Sequence, residues 1–131
     1  MYYFAYALDL DRKEMLKRCP GSIPKYPATL HHYQLVFSDW TRLWRGATST
    51  IKPLRGARVL GAIYEVSEDC LRRLEKQLGS EYHPLNVTVN NEDSEPVEAV
   101  TYLRHKPGES DQPSPAYLAR LQQGYKDWRL I

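Results

Sequence analysis

The first apolar stretch of the chain, residues 1–10, is rich in aromatic residues and gives way abruptly to acidic ones. Its tyrosines and its phenylalanine favour a half-buried β-strand. Asp11, with Glu14 three residues later, is an Asp version of the capping box that starts a helix. Residues 7–10 are therefore expected to form an elbow between a strand and a helix. Such elbows present backbone N–H groups that suit an anionic ligand, although most short connections bind nothing.

Capping residues predict three helices. The first is expected over residues 11–19, where a Pro-Gly pair ends it. The second begins after Ser67, a good N-cap residue, and ends before Gly79. Ser114, followed by a proline, opens a final helix that should extend to about residue 129.

Runs of apolar and β-branched residues predict strands in the rest of the chain. The clearest central strand lies directly before Ser67, and two later strands are expected to form a hairpin around the polar turn at residues 91–95. The predicted strands after the first cover residues 28–30, 33–38, 48–52, 59–66, 85–90 and 97–103.

Four segments between these elements are expected to be irregular. Two prolines predict a rigid extended connection before residue 28, and residues 53–56 should break the sheet. Residues 39–47 are aromatic and basic without a clean period, which predicts a structured loop beside a pocket. Residues 106–112 are rich in Pro, Gly and acid, which predicts a mobile connection and leaves open whether it closes over a ligand as a lid.

The composition fits one domain over residues 1–131, because 42% of the residues are hydrophobic and the chain is too short for a second core of ordinary size. The order of elements predicts an α+β fold with mostly antiparallel strands in a small closed or curled sheet. The net charge of +2 comes from 18 basic and 16 acidic residues that are mixed along the chain, which argues against a nucleic-acid partner. No membrane-spanning or leader segment is apparent, so a soluble cytoplasmic protein is expected.

The cysteines and histidines do not predict a metal site. Cys19 and Cys70 are far apart in sequence and lack CxxC spacing, so each is expected to be a small apolar residue within a helix. His31 and His32 are adjacent, and on a strand they would point to opposite faces. We therefore expect neither a metal nor a cofactor.

Four short motifs occur in order along nearly the whole chain. They are Tyr3-Phe-Ala-Tyr6, Arg18-Cys-Pro-Gly21, Val59-Leu-Gly-Ala-Ile-Tyr-Glu-Val-Ser-Glu-Asp69 and Pro113-Ser-Pro-Ala-Tyr-Leu118. Together they resemble the γ-glutamylcyclotransferase-like family, which includes the γ-glutamylamine cyclotransferases and the plant avirulence-induced proteins. The resemblance implies a small mixed, mostly antiparallel β-barrel flanked by helices.

The resemblance also implies a reaction. In this family the α-amine of a γ-glutamyl group attacks its own side-chain carbonyl, which expels an amine and releases 5-oxoproline. That chemistry needs a general base for the ammonium proton and donors for the carboxylate and the developing oxyanion. The family takes its donors from a Gly-Ser-Asn loop after the first strand, and its acid/base is a Glu directly before a Gly at the end of the second helix.

Both positions differ in this chain. The Gly-Ser-Asn triplet is replaced by Ala7, Leu8 and Asp9, and the residue before Gly79 is Leu78. Alanine adds a Cβ and disfavours positive φ, leucine removes a hydroxyl, and a carboxylate at position 9 would repel a substrate carboxylate unless it caps its own helix. Leu78 cannot accept a proton, so ordinary cyclotransferase activity is expected to be weak or lost.

Other side chains are candidates for the remaining roles. Glu75, three residues before Leu78 on the same helix, is the first candidate for a substitute base, with Glu65, His83 and Asp9 as further candidates. The expected substrate-binding residues are Tyr6, Ala7, Leu8, Asp9, Leu10, Leu78 and Tyr82, and Trp40, Trp44 and Tyr64 are considered as additional lining.

Two hypotheses follow from the sequence. The first is a divergent γ-glutamylcyclotransferase-like protein that acts on a small γ-glutamyl or amide-type ligand. The second is a non-catalytic domain that uses the same fold to bind a metabolite or a protein. The resemblance favours the first, and the changes at positions 7–9 and 78 favour the second.

Overall fold

A computed structural model describes residues 1–131, which form five strands and three helices. A single 3₁₀ turn, Leu8–Leu10, follows the first strand. In chain order the elements are β1 (Tyr2–Ala5), α1 (Arg12–Arg18), β2 (Ile23–Thr41), β3 (Gly46–Glu65), α2 (Glu68–Leu78), β4 (Tyr82–Asn91), β5 (Pro96–Arg104) and α3 (Pro115–Asp127). None of the helices has the length and apolar composition needed to cross a membrane.

The five strands close into a barrel in the order β1-β3-β2-β4-β5. All neighbouring strands are antiparallel except β1 and β5, which pair in parallel through Tyr3 and Val100. The prediction of a mixed, mostly antiparallel barrel with flanking helices is confirmed.

Side chains at the predicted N-caps fix the helix starts. Asp11 Oδ1 accepts hydrogen bonds from the backbone N–H groups of Lys13 and Glu14. Ser67 and Ser114 each accept one from the N–H three residues further along the chain. The three predicted helices are therefore present, although the last one ends at Asp127 rather than near residue 129.

The strands are longer than predicted. β2 and β3 form one long ribbon, in which Pro53 pairs with Tyr33 and the next pair is His31 with Arg58. The break expected at residues 53–56 is present as an interruption of the pairing over residues 54–57, and the strand continues on both sides of it. The predicted loop over residues 39–47 is the end of the ribbon, with its turn at residues 42–45. Register shifts between His31 and Tyr33 and at two other places absorb the irregular sequence as β-bulges.

The alternation of side chains along β1 divides the core in two. Phe4 and Tyr6 join a cluster contributed by all five strands, which fills the barrel. Tyr3 and Ala5 join a second cluster, in which the outer face of the barrel packs on the helices and on Trp128. Residues at the end of β1 therefore connect the barrel interior with its helical cover.

The two cysteines form a disulfide between the end of α1 and the first turn of α2. Both are buried, and their Cα atoms are 5.3 Å apart. The expectation of two separate apolar cysteines is wrong, because the fold brings together two positions that are 51 residues apart in sequence. The bond ties together the helices that carry Arg18 and Leu78.

The connection before α3 is hydrogen-bonded to the β2–β3 ribbon. Asp111 N–H donates to the Phe37 carbonyl, and the Gln112 carbonyl accepts from Ala47 N–H. Ser110 also forms an isolated bridge with Ser38. The segment predicted to be a mobile connection is instead bound along the end of this ribbon. Whether it closes over a ligand as a lid stays untested.

Candidate functional site

A cavity of about 330 Å³ opens where the elbow after β1 meets the tip of the β2–β3 ribbon and the end of α2. Nineteen residues line it, and their common features are aromatic rings, hydroxyl groups and two opposite-charge pairs. The lining includes Tyr3, Tyr6, Ala7, Leu8, Asp9, Arg18, Asp39, Trp44, Thr48, Ser49, Leu78, Glu81, Tyr82, Tyr102, Arg104 and Tyr117.

Six of the seven predicted substrate-binding residues line this one cavity: Tyr6, Ala7, Leu8, Asp9, Leu78 and Tyr82. Leu10 does not. Its side chain is fully buried, and its Cβ packs against Gly124 so closely that no side chain would fit at that position. The Leu10 carbonyl accepts a hydrogen bond from the Trp128 indole. Leu10 therefore anchors α3 to the elbow. Ligand binding by the other six stays a prediction.

A larger open groove of about 630 Å³ lies elsewhere on the surface. It lies between the start of β2, the β4–β5 turn and the C-terminal residues, with Lys25, Glu92 and Arg129 among its lining. It contains none of the predicted site residues. The smaller cavity is therefore the candidate site, since the chemistry-bearing side chains converge there.

Alanine fits the backbone of the elbow. Ala7 has a φ of −125°, so this position does not need the left-handed conformation that would require glycine. In the 3₁₀ turn that follows, Leu10 N–H donates to the Ala7 carbonyl and Asp11 N–H donates to the Leu8 carbonyl. The N–H groups of Leu8 and Asp9 have no acceptor within the turn. Two N–H groups of the elbow are therefore without a partner in the turn, and the alanine adds a methyl group beside the cavity.

Asp9 is buried and already paired. Its Oδ1 lies 2.8 Å from Arg18 Nη1, and its Oδ2 accepts a 2.6 Å hydrogen bond from the Tyr3 hydroxyl. Asp11, not Asp9, caps α1. The expected alternative of a helix-capping Asp9 is therefore wrong, and Arg18 compensates the charge that would otherwise repel a substrate carboxylate.

Leu78 is the last residue of α2, and its half-buried side chain lines the cavity. Gly79 follows with a φ of 89°, a conformation that L side chains rarely adopt and that ends the helix. The cavity wall at this position is apolar.

Glu75 does not line the cavity. Its Oε1 accepts a 2.9 Å hydrogen bond from the hydroxyl of Tyr102, and Tyr102 lies in the cavity wall. Glu75 is a candidate because it could face the same side as Leu78, but it bonds the wall residue Tyr102 and does not itself line the cavity. Its catalytic role is not tested by this placement.

The remaining candidate bases are also elsewhere. Glu65 forms an ion pair with Lys25, with Oε2 3.7 Å from Nζ. His83 packs edge-to-face against His105, with ring centroids 5.0 Å apart. Neither lines the cavity. Among the candidates proposed from sequence, only Asp9 has its carboxylate in the cavity wall.

Arg104 at the end of β5 is the most extensively bonded side chain of the site, and the sequence did not indicate it. Nη1 donates 2.6 Å hydrogen bonds to Thr48 Oγ1 and to the Tyr82 hydroxyl. Nη2 donates to the Ser38 carbonyl and hydroxyl and to the Thr48 carbonyl. The buried guanidinium thus joins β2, β3, β4 and β5 at the mouth of the barrel.

Asp39 is the counter-ion of Arg104. Its Oδ2 lies 3.0 Å from Nε, in a geometry that makes an ion pair but not a hydrogen bond. The Gly108 N–H and the Ser38 hydroxyl also donate to this carboxylate. The Gly108 hydrogen bond, helped by Ser38 and Arg104, lowers the pKa of Asp39 below its ordinary value. Asp39 is therefore a fixed anion and does not act as a base.

The tyrosines of the cavity are neutral hydrogen-bond donors. Burial raises the pKa of Tyr6, Tyr82, Tyr102 and Tyr117 above the ordinary value, and for Tyr82 the charge of Arg104 opposes that effect. Burial and the neighbouring Asp9 carboxylate raise the pKa of Tyr3. None of these phenols is available as a general base near neutral pH.

Of the three aromatic residues considered as lining, only Trp44 lies in the cavity wall. Its ring packs edge-on against Tyr117 with centroids 5.2 Å apart. Trp40 is exposed, and Tyr64 packs on Trp128 in the outer cluster. The Tyr117 hydroxyl accepts a hydrogen bond from the Ser49 N–H and forms a second one with the Ser49 hydroxyl. The closing Pro-Ser-Pro motif therefore delivers an aromatic residue to the site.

Comparison with known proteins gives one consistent result. The profile of the family described as γ-glutamyl cyclotransferase, AIG2-like, matches residues 5–130. Among curated proteins, the γ-glutamylcyclotransferase of Bos taurus is 28% identical, and the alignment covers 95% of this chain and 70% of that protein. The γ-glutamylcyclotransferase of Mus musculus is 25% identical with the same coverage. A solved structure of a γ-glutamyl cyclotransferase superimposes with a TM-score of 0.93 at 26% identity, covering 99% of this chain and 80% of that one.

Proposed function

Because this chain belongs to the γ-glutamyl cyclotransferase, AIG2-like family, we propose that its cavity binds a small γ-glutamyl or amide-type ligand and converts it to 5-oxoproline only slowly or not at all. The observation that carries this proposal is the position of Leu78. It lies directly before Gly79 at the end of α2, where the family carries its acid/base Glu, and it lines the cavity.

The size of the cavity supports a small ligand. A volume of about 330 Å³ lies at the lower end of the range of small-molecule sites, about 300–1,000 Å³. Rings from Tyr6, Trp44 and Tyr82 provide apolar walls, and Ser49, Thr48 and the elbow provide polar groups. A few polar groups on an aromatic wall are typical of a site that orients one compact ligand.

The charges support a zwitterionic ligand. The charged side chains in the wall are the pairs Asp9–Arg18 and Asp39–Arg104, together with Glu81, so the wall carries one net negative charge. The γ-glutamyl group carries one α-carboxylate and one α-ammonium group, and such a wall offers both a cation and an anion to them. The Arg18 side chain is 21% exposed and has donors that Asp9 does not use, so we assign the ligand carboxylate to Arg18 and the elbow.

Slow turnover follows from the apolar wall at position 78. General acid–base catalysis contributes about 10²- to 10⁴-fold to a rate. Without a carboxylate at that position, the ammonium group of the ligand has no base beside it on α2, and the expelled amine has no acid. Binding is retained in this account, because the elbow and Arg18 do not depend on Leu78.

The alternative is a domain that binds a metabolite without turnover. One observation favours it: the cavity has Leu78 where the family's acid/base Glu is expected, and the only candidate base from the sequence in its wall, Asp9, is held by Arg18. In that case the ligand would bind with normal stoichiometry, and no 5-oxoproline would form at any enzyme concentration.

Calorimetric titration with L-γ-glutamyl-L-alanine tests the binding claim. Ala7→Leu fills the cavity, and Ala119→Leu makes the same change on the exposed face of α3. We expect the natural chain and Ala119→Leu to bind equally, and Ala7→Leu to bind at least tenfold more weakly. Absence of binding to a panel of γ-glutamyl amines, or equal binding by all three proteins, would refute the proposed site.

The cytoplasmic location expected from the sequence is part of this proposal. The Cys19–Cys70 disulfide bears on it, because such bonds are rare in reducing compartments. Acid quenching of the cells, alkylation of free thiols after denaturation and mass spectrometry test both, because the two buried sulfurs are then accessible. A reducing cytoplasmic environment predicts alkylated Cys19 and Cys70, and a fully oxidised pair would argue for another compartment.

A further inference from the structure

Three of the carboxylates near the cavity are engaged by other groups. Asp9 is held by Arg18 and by Tyr3. Asp39 is held by Arg104 and by the Gly108 N–H, which keep it ionised. A carboxylate that is fixed by a cation or by hydrogen bonds gains little from accepting a proton. Glu75, the third, accepts from Tyr102 and lies outside the wall.

Glu81 is the carboxylate that remains. It lies in the turn between α2 and β4, three residues after Leu78, and it lines the same cavity. Its side chain is exposed and forms no ion pair and no hydrogen bond within the protein. An unpaired carboxylate at the mouth of a cavity can both accept and return a proton.

The backbone holds Glu81 in place although its side chain is free. The Glu81 carbonyl accepts a hydrogen bond from His105 N–H, and the next N–H, that of Tyr82, donates to the Gly79 carbonyl. The adjacent Tyr82 hydroxyl is fixed between Arg104 and the Ser49 carbonyl. The turn therefore holds the Glu81 backbone in place beside Tyr82, three residues after Leu78, and leaves the side chain exposed and without a partner.

We propose that Glu81 serves as the general acid/base for the slow cyclisation that this chain retains, in place of the residue missing at position 78. The inference rests on the proposed function, since it requires a γ-glutamyl group in the cavity. On this assignment turnover should be slow, because an exposed side chain without a partner is held less well for proton transfer than a residue fixed at a helix end.

The cyclisation moves two protons from the α-ammonium group to the expelled amine. The Glu81 carboxylate accepts a proton from the α-ammonium of the γ-glutamyl group, and the free amine nitrogen attacks the side-chain carbonyl carbon. The protonated Glu81 returns that proton to the nitrogen of the expelled amine as the carbon–nitrogen bond breaks and the carbonyl re-forms. The second proton leaves the ring nitrogen through solvent and is taken up by the free amine. The products are 5-oxoproline and a protonated amine.

Release of 5-oxoproline from L-γ-glutamyl-L-alanine at high enzyme concentration tests this assignment. Glu81→Gln is expected to lower the residual rate at least tenfold, while the Kd from calorimetry changes less than twofold. Glu109→Gln, another exposed glutamate without a partner but outside the cavity, is the matched control and should leave both unchanged.

Several outcomes separate this inference from the proposed function. In a Leu78→Glu background, Glu81→Gln should change the rate less than threefold, because position 78 then supplies the base. An unchanged residual rate in Glu81→Gln, or a large loss in Glu75→Gln instead, would overturn the role of Glu81. Binding without any turnover would overturn it and leave the binding site standing, whereas absence of binding would overturn both.

Discussion

Asp9 Oδ1 lies 2.8 Å from Nη1 of Arg18, which places an ion pair at the point where the family presents a neutral loop to its ligand. The pair changes what the substitution at position 9 means. A lone carboxylate there would repel a ligand carboxylate, but the paired one uses part of the Arg18 guanidinium, to which we assign the ligand carboxylate.

The first prediction concerns this pair. Arg18→Gln leaves the Asp9 carboxylate uncompensated, and binding of L-γ-glutamyl-L-alanine should weaken by about tenfold, or about 1.4 kcal/mol. Asp9→Asn frees Arg18 for the ligand and should tighten binding by a few fold. Lys17→Gln, on the exposed side of the same helix, is the control. Weaker binding in Asp9→Asn would contradict the assignment of the ligand carboxylate to Arg18.

The second prediction concerns acid stability. The folded pKa of Asp39 is lowered, so its contribution is present above the unfolded pKa of about 3.9 and is lost as the pH falls through the folded value. Asp39→Asn should lower the stability by about 1 kcal/mol near neutral pH, a modest effect because the side chain is 34% exposed. Melting temperatures of both proteins between pH 3 and pH 7 check this. The gap should be constant above about pH 5 and shrink below about pH 4, and a gap that widens in acid would refute the sign.

The third prediction concerns the disulfide between α1 and α2. Cross-linking positions 51 residues apart removes conformational entropy from the unfolded chain, and the chain-entropy estimate for such a loop is about 4 kcal/mol. Urea unfolding with and without a phosphine reductant measures this difference. Stability should fall on reduction, and ligand binding should weaken because α1 and α2 carry Arg18 and Leu78. The control is a protein with both Cys19→Ala and Cys70→Ala, whose stability should not change when the reductant is added. If the natural chain had the same urea midpoint with and without reductant, the disulfide would be contradicted.

The parts of the fold that the sequence predicted are those with local signals. The N-caps Asp11, Ser67 and Ser114 fix helix starts through contacts within four residues, so they can be recognised without the rest of the chain. The β4–β5 hairpin has the same property, because its polar turn is continuous in sequence. The ribbon of β2 and β3 does not, since its bulges and its Pro53 are tolerated only because the partner strand holds the register.

The site divides in the same way. Ala7, Leu8, Asp9 and Leu78 were identifiable because they occupy motif positions of a resembling family. Arg104 and Asp39 carry no local signal, because their roles arise when barrel closure brings the end of β5 against the end of β2. The disulfide belongs with them, since Cys19 and Cys70 meet only after both helices pack on the barrel.

Glu75 shows why spacing alone misplaced a candidate base. Residues three apart on a helix share a broad face, so Glu75 could reach the same cavity as Leu78 by spacing alone. Tyr102 lies between Glu75 and that cavity and binds the carboxylate on its outer side. A wall residue from another strand thus decides which side of α2 reaches the ligand, and no pattern within α2 records it.

The central claim is that the apolar side chain at position 78 limits catalysis in an otherwise competent cavity. The most direct measurement is the rate of 5-oxoproline release from L-γ-glutamyl-L-alanine by the natural chain and by Leu78→Glu, with Leu16→Glu on the exposed side of α1 as the matched control. We expect very slow release by the natural chain and by the control, and release by Leu78→Glu that is at least about 10²-fold faster. Rapid release by the natural chain, or a Leu78→Glu protein that binds the dipeptide but is no faster, would contradict it.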